Sequence, residues 1–500
     1  MKVINIMNFV RQYEPRRTNK DHLMFEVTKE QLKFVNEEKL DNTFLLQYDV
    51  LCDENYVKLF KENVKENTEL GLWLEIVEPL TTACNMPYRS EKGWRWDWHI
   101  IPGFLMGYKP EEREKLADEA MRKFKEVFGY YPSTIGCWLM DTHTINYLAE
   151  NYKIDAFCNC RDQVNTDAYT LIGGYFNQGY YPSKNNMFTP AQTDEYRVNV
   201  PMFRLLGPSP IYDYDGRKFM PEWRQNLKLC CTLEPVWDSG STPEVVDWFF
   251  KSYYRNEDLG FSYSQLGQEN SFATDFDFMP ALKMQIEKAK ALGDVEFQKM
   301  GDTGKYFKET YKNKTPATSL VALDDCYGSD LQSAYYDCEN YTANVFRKDN
   351  QVFIRAWYLF DERVKDIYMD EPCTRFDAIY ENLPIVDTVL SDSKRTNDIG
   401  LLIDTEASAF SAEKSGENSL LVNWNDKSVK LSEHEIEITN AKNLVWFKDS
   451  IRESYSIEDN AIKFTYKGSN YTVYFKNCTV SDEKDRIVFS CTGDSIVLSV

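Results

Sequence analysis

Residues 110–142 read PEEREKLADEAMRKFKEVFGYYPSTIGCWLMDT, and this stretch decides the fold. Pro110 fits the first turn of a helix, where the absent N–H is not needed, and Gly129 marks its C-terminal stop. The apolar run at 134–142 then reads as a buried strand ending in polar residues. A long helix followed at once by such a strand is half of a strand–helix–strand unit. Seven more runs of the same kind flank it, at residues 4–10, 43–51, 71–79, 155–162, 200–206, 227–236 and 260–267. Helical stretches such as TINYLAENY and TPEVVDWFFKSYY lie between several of them. Eight buried strands with crossovers in the first 275 residues match an α/β fold of the (β/α)8 barrel type.

The pattern changes further on. After helix-like MPALKMQIEKAKAL and KYFKETYKN, the chain from about residue 319 alternates short strands with turn residues. SLLVNWND, AIKFTYKGSNYTVYFKN and DRIVFSCTGDSIVLSV read as an antiparallel β-sandwich, with a hairpin turn at Lys467-Gly468-Ser469. The expected division is a barrel over 1–318 and a sandwich over 319–500. No repeat and no Gly/Ser/Pro linker separates them, so they should pack closely.

Composition narrows the function. The 58 basic and 79 acidic residues give a net charge of −21, which argues against a general nucleic-acid binder. Charged residues make up 27%, and no apolar run reaches membrane-spanning length. The 12 cysteines form no C-x-x-C pair and no disulfide framework. Reduced core thiols and a cytoplasmic location are expected, the alternative being export with a leader removed. G-x-S-x-G, phosphate-loop and dinucleotide signatures are all missing, so no cofactor is expected.

In a barrel, chemistry sits at the C-terminal strand ends. Polar residues gather there: Asn8 and Arg11, Asp49, Glu75 and Glu78, Asp141 and His143, Arg161 with Asp162 and Gln163, Arg204, Glu234 and Asp238, and Gln268 with Glu269 and Asn270. A buried carboxylate is costly unless paired. Acids at six of eight predicted strand ends therefore imply one shared polar pocket, although each acid taken singly also suits a cap or an ion pair with an arginine. The loop Trp94-Arg95-Trp96-Asp97-Trp98-His99 offers aromatic faces, either as core or as a platform for sugar C–H groups. A second aromatic, glycine-rich loop spans 173–182. Together they suggest carbohydrate handling. With only four histidines a multi-histidine metal site is nearly excluded. Asp49, His99, Asp141 and His143 remain as a set for one divalent ion or, more simply, for hydrogen bonding.

The segment GCWLMDTHTINYLAENYKI, with W-x-x-D at a strand end, resembles the nucleophile segment of α-mannosidase-type glycoside hydrolases. The preceding FKEVFGYYPSTIG resembles the helix-to-strand step of polysaccharide-deacetylase-like barrels, part of the same broad superfamily. The wider block, from FVRQYEPR to FRLLGPSPIYDYD, looks like an uncharacterised bacterial group with such a barrel and a C-terminal β-sandwich. That resemblance covers most of the barrel. Both families' metal motifs are missing: strand 1 reads NIMNFVR in place of H-x-D or an acidic pair, and a later strand reads GLWLEIVEP in place of H-x-x-x-H.

The resulting expectation is an exo-acting, metal-independent glycoside hydrolase that cleaves short glycans with two carboxylates. Asp141 is the first candidate for nucleophile or base, from the resemblance and its strand-end position. Glu269 is the first candidate for the acid, followed by Glu234 and Glu75. Asp49, Trp96, Trp98, His99, His143, Arg161, Asp162, Arg204 and Gln268 are candidates for substrate binding. Arg11, Arg161 and Arg204 would either take an anionic sugar or neutralise neighbouring acids. The alternatives are a non-catalytic glycan-binding barrel and a deacetylase-like metal hydrolase. The partner in every case is an oligosaccharide or glycoconjugate; oligomeric state is left open.

Overall fold

A computed structural model describes residues 1–16, 20–212, 231–235, 242–312, 314–390, 399–452 and 454–500, without the side chains of 165 and 166. Among these, one curled nine-stranded sheet has a run of seven parallel strands, β1 (Lys2–Val10), β2 (Asn42–Leu46), β3 (Thr68–Trp73), β4 (Thr134–Gly136), β5 (Ala156–Cys160), β6 (Met202–Leu205) and β7 (Ser262–Leu266), with Glu296–Gln298 pairing parallel to β1 and Gly179–Tyr180 antiparallel to β6. The order runs β7-β1-β2-β3-β4-β5-β6. All pairs in this run are parallel, with registers such as Met7 opposite Thr43 and Phe157 opposite Met202. No pairing joins β6 to β7 among the described residues, so a complete eight-stranded barrel is not shown. The strand expected at 227–236 falls largely outside the described residues, as does Asp238.

The helix expected from the opening stretch forms as α3 (Pro110–Phe128), after α1 (Asp21–Glu37) and α2 (Glu54–Asn63). Pro110 stands in its first turn, and Gly129 closes it at φ +87°, where a side chain would be strained. Its buried face carries Arg113, Leu116, Ala117, Ala120, Met121 and Phe124, the i, i+3, i+4 spacing of an amphipathic helix. The strand after it is shorter than the sequence suggests. β4 ends at Gly136, although Cys137 N–H still donates to the Cys158 carbonyl at 3.1 Å, and Asp141 accepts a hydrogen bond from the Thr144 N–H and so caps α4 (Thr142–Asn151). A Cβ at Gly136 would stand 2.6 Å from Leu45 Cδ1, so glycine lets the interior close here. Phe9, Trp73 and Trp138 fill the layer beneath the strand ends, with ring centroids 4.6–5.1 Å apart.

From Thr318 onward the described chain is mainly antiparallel. One sheet starts with Thr318–Ala322, Leu331–Asp337, Tyr341–Lys348 and Gln351–Leu359, and a second spans Ser411–Lys414 to Ser454–Glu458. Apolar residues of both, including Trp357, Leu420, Ile438 and Phe489, share one core. The expected turn forms at Lys467-Gly468, with φ of +48° and +84°. The two regions also share structure. Leu320, Tyr335, Phe353 and Tyr380 join the core of the parallel sheet, and Ala378–Glu381 pairs with Tyr169–Ile172. No described helix is long and apolar enough to cross a membrane.

Candidate functional site

The parallel sheet delivers its C-terminal strand ends to one place. Arg11 follows β1, Gln47 follows β2, Glu75 lies two residues past β3, Trp138 two past β4 and Glu269 three past β7. There the Arg11 guanidinium bridges two carboxylates. Its Nε and Nη2 donate to Glu75 at 2.9 and 2.7 Å, and its Nη1 donates to Glu269. Gln47 Nε2 donates to Glu75 Oε2 at 2.7 Å, while the Trp138 indole N–H (3.0 Å) and the Ser271 hydroxyl donate to Glu269. Asn270 fixes Arg11 from behind, accepting from its N–H at 2.9 Å and donating to its carbonyl at 2.8 Å.

All three charged side chains are buried, over the Phe9–Trp73–Trp138 layer. Burial pushes the Glu75 carboxyl above its ordinary value, against the lowering effect of Arg11. For Arg11 burial acts in the opposite sense, but Glu269 and Glu75 outweigh it and hold the guanidinium firmly charged.

The aromatic loop covers this cluster. Arg11 lies 3.8 Å above the Trp96 ring and Arg16 lies 5.8 Å from the same ring. Arg16 also sits 4.9 Å from Trp98, which stacks on Trp94 at 4.9 Å and on His99 at 5.1 Å. These faces are thus occupied by cations and by each other. Arg16 pairs with the buried Glu14 at 2.8 Å. Glu14, Arg16, Ser271, Phe272, Thr274 and Asp275 line a cavity of about 200 Å³, which reaches Glu269 through Ser271.

The remaining candidates lie elsewhere. Asp141, besides capping α4, accepts from Arg113 of α3 at 3.0 Å. Arg113, fully buried, also donates to the carbonyls of Tyr108 and Tyr368, both at 2.7 Å. Asp162 pairs with Arg204 at 2.6 Å, and Arg161 donates to the Asp162 carbonyl at 2.6 Å. Arg11 and Arg204 thus pair with protein carboxylates, as the neutralising alternative expects. Gln268 accepts from the Glu269 N–H at 2.7 Å. Asp49 is buried and pushed up to about 7 by that burial. His99 contacts Asp97 at 2.6 Å and His143 contacts Glu114 at 3.0 Å, so the two histidines belong to different pairs. Glu234 is half-buried, with its N–H 3.2 Å from Thr232 Oγ1. Among the described residues no group of three or more His, Cys, Asp or Glu is placed to hold a metal ion.

Sequence reasoning passed over Gln47, Trp138, Ser271, Glu14 and Arg16. Trp138 was within reach as the first residue of W-x-x-D, and Ser271 directly follows Gln268-Glu269-Asn270.

No family model and no curated protein matches this chain. Among solved structures, a Parabacteroides distasonis protein provisionally described as a glycoside hydrolase/deacetylase overlays with a TM-score of 0.58 at 15% identity, covering 79% of this chain and 92% of its own. The likeness is one of fold. A protein from Mycobacterium smegmatis provisionally described as a polysaccharide deacetylase (14% identity, 61% of this chain and 90% of its own) has a TM-score of 0.36. The Puue allantoinase (12% identity, 62% and 91%) has one of 0.37, and neither overlay bears further on this chain.

Proposed function

We propose that the chain is a carbohydrate-active hydrolase, specifically a glycoside hydrolase whose two working carboxylates are Glu75 and Glu269. One observation carries the reading: these two acids share a single guanidinium at the strand ends. Asp141–Arg113 and Asp162–Arg204 are matched one to one, whereas the Glu75–Arg11–Glu269 group holds one negative charge in excess. Excess negative charge in a buried site holds a proton for a leaving oxygen and stabilises an oxocarbenium-like transition state. Glu75, raised by burial, is the proton carrier. Glu269, next to the cavity through Ser271, is the nucleophile or base. The small cavity suits a single terminal sugar and hence exo-action, with residues 319–500 in an accessory role.

The full engagement of both carboxylates favours a second reading, in which the cluster is a structural lock on a non-catalytic glycan-binding barrel. Assay of the full chain on a panel of 4-nitrophenyl glycosides and short neutral oligosaccharides separates the two. Under the catalytic reading, Glu269→Gln and Glu75→Gln each lower turnover by about 10²–10⁴-fold, and azide restores rate to Glu269→Ala. No turnover by the wild-type chain across the panel, with both variants altering stability alone, selects the structural reading.

A further inference from the structure

We propose that a second site, distant in sequence from the Glu75–Glu269 cluster, binds an uncharged oligosaccharide in the cleft between segment 361–367, strand Ala378–Glu381 and the Lys467-Gly468 hairpin tip. The cleft has a volume of about 680 Å³, within the range of small-ligand sites. The charges lining it are already matched within the protein. Arg363 holds Asp361 at 2.8 Å, Lys365 holds Asp370, and Glu381 receives both Arg452 (2.6 Å) and Lys467. The buried Asp366 accepts from Thr142 Oγ1 at 2.6 Å, Tyr380 Oη at 2.9 Å and the Tyr368 N–H at 2.8 Å. Asp366 has no counter-charge, but it is buried and already accepts three hydrogen bonds, and the other lining charges are paired within the protein.

What the cleft does offer is neutral. Asn186 is buried, and its Oδ1 accepts from the Phe188 N–H at 3.0 Å, yet its Nδ2 donates to nothing among the described residues. Asn470, exposed on the hairpin, also lines the cleft: its Oδ1 accepts from Thr465 Oγ1 at 2.8 Å, and its Nδ2 donates to nothing among the described residues. Between these donors, Val364 and Ile379 supply apolar wall, and Ile367 stands 68% exposed at the rim. Amide donors and aliphatic surface without net charge match a ligand with hydroxyl acceptors and C–H faces, which is a neutral sugar chain. The inference goes beyond the barrel reading and does not depend on which carboxylates react.

The test is calorimetric titration of the full chain with maltohexaose, cellohexaose, xylohexaose and mannohexaose. It uses the wild type, Glu269→Gln, and the double variant Asn186→Asp/Asn470→Asp. The double change keeps both Oδ1 acceptors and removes both free donors. The expected result is that at least one hexaose binds wild type and Glu269→Gln alike, while the double variant, folded by circular dichroism but with a lowered melting temperature from the charge placed at buried position 186, binds at least tenfold more weakly. Ile367→Ser, at the exposed rim, should weaken the same hexaose. Binding by no hexaose, or equal binding by the double variant and Ile367→Ser, overturns the proposal. Hexaose binding by Glu269→Gln without wild-type turnover would sink the catalytic reading alone, and turnover with no loss of binding in the double variant would sink this one alone.

Discussion

Arg113 offers the sharpest test of what the strand-4 aspartate does. The side chain is fully buried in α3 and joins three parts of the chain. It donates to Asp141 at 3.0 Å, to its own helix entry at the Tyr108 carbonyl, and to the Tyr368 and Glu371 carbonyls of the segment crossing from the antiparallel region. Arg113→Leu leaves the Asp141 carboxylate buried and uncompensated, a loss of about 3–5 kcal/mol. Two carbonyls also lose 2.7 Å donors, adding about 1 kcal/mol each. Asp141→Asn keeps an acceptor for the Thr144 N–H, and asparagine caps a helix as well as aspartate does, but it leaves the buried Arg113 guanidinium without its counter-charge and should also cost about 3–5 kcal/mol. The double variant should cost less than the sum, because the orphaned charge is gone. Urea unfolding followed by tryptophan fluorescence gives the cycle. Hydrogen exchange should rise at Cys373, whose N–H reaches the Met106 carbonyl at 2.7 Å beside this hub. Additive single variants, or an Arg113→Leu chain as stable as wild type, would refute the staple role. An Asp141→Asn chain of wild-type stability with turnover down a thousandfold would return Asp141 to the chemistry.

Other consequences are open to measurement. Burial holds Asp49, Asp258 and Asp337 at about 7 in the folded chain, against roughly 4 when unfolded. The folded chain therefore keeps protons that the unfolded chain has lost, and stability falls as pH rises from about 4 to about 7, by up to about 1.4 kcal/mol per pH unit for each group. Asp337→Asn retains an acceptor for the Phe176 N–H (2.9 Å) and should flatten that slope; an unaltered slope counts against the assignment. The 11 described cysteines are free, but Cys478 and Cys491 stand opposite each other on paired strands, so mild oxidation should join this pair first, as read by peptide mapping. Because Leu320, Tyr335 and Phe353 belong to the core of the parallel sheet, brief proteolysis should not release a stable fragment beginning near residue 319.

The parts of the fold that were legible in the sequence rest on local chemistry. Pro110 and Gly129 bound α3 because one residue lacks an N–H and the other tolerates positive φ. The change to antiparallel strands near Thr318 follows from short alternation and turn residues. What stayed hidden depends on long-range partners. Arg113 lies in a helix rich in charge, and nothing nearby in sequence shows that one of its acceptors is a carbonyl 255 residues away. The run at 134–142 reads as one strand because its residues are apolar, but only Thr134–Gly136 forms regular strand and Asp141 already caps the next helix. The tryptophan loop kept two readings open in sequence, and only the placement of Arg11 and Arg16 over Trp96 shows where those ring faces go.

The strand-end acids were counted as one ring, and counting alone ranks Asp141 with Glu75 and Glu269. Pairing separates them. A carboxylate matched by its own arginine, as Asp141 and Asp162 are, forms a closed one-to-one pair. Two carboxylates on one arginine cannot both be matched. In an apolar layer the surplus charge is relieved by taking up a proton or by facing a positive charge that forms during reaction. Glu75 and Glu269 are in that position, over Phe9, Trp73 and Trp138 and under the Arg11–Trp96 contact. Each accepts three hydrogen bonds, Glu75 from Arg11 twice and Gln47, Glu269 from Arg11, Trp138 and Ser271, and only the Glu269 set includes a residue that lines the cavity. A ligand entering beside Ser271 meets Glu269 first, and any change in that carboxylate's charge reaches Glu75 through the guanidinium between them. The arrangement couples the two acids electrostatically and puts the cavity on the Glu269 side, and it is on that ground that we propose attack by Glu269 and proton storage on Glu75.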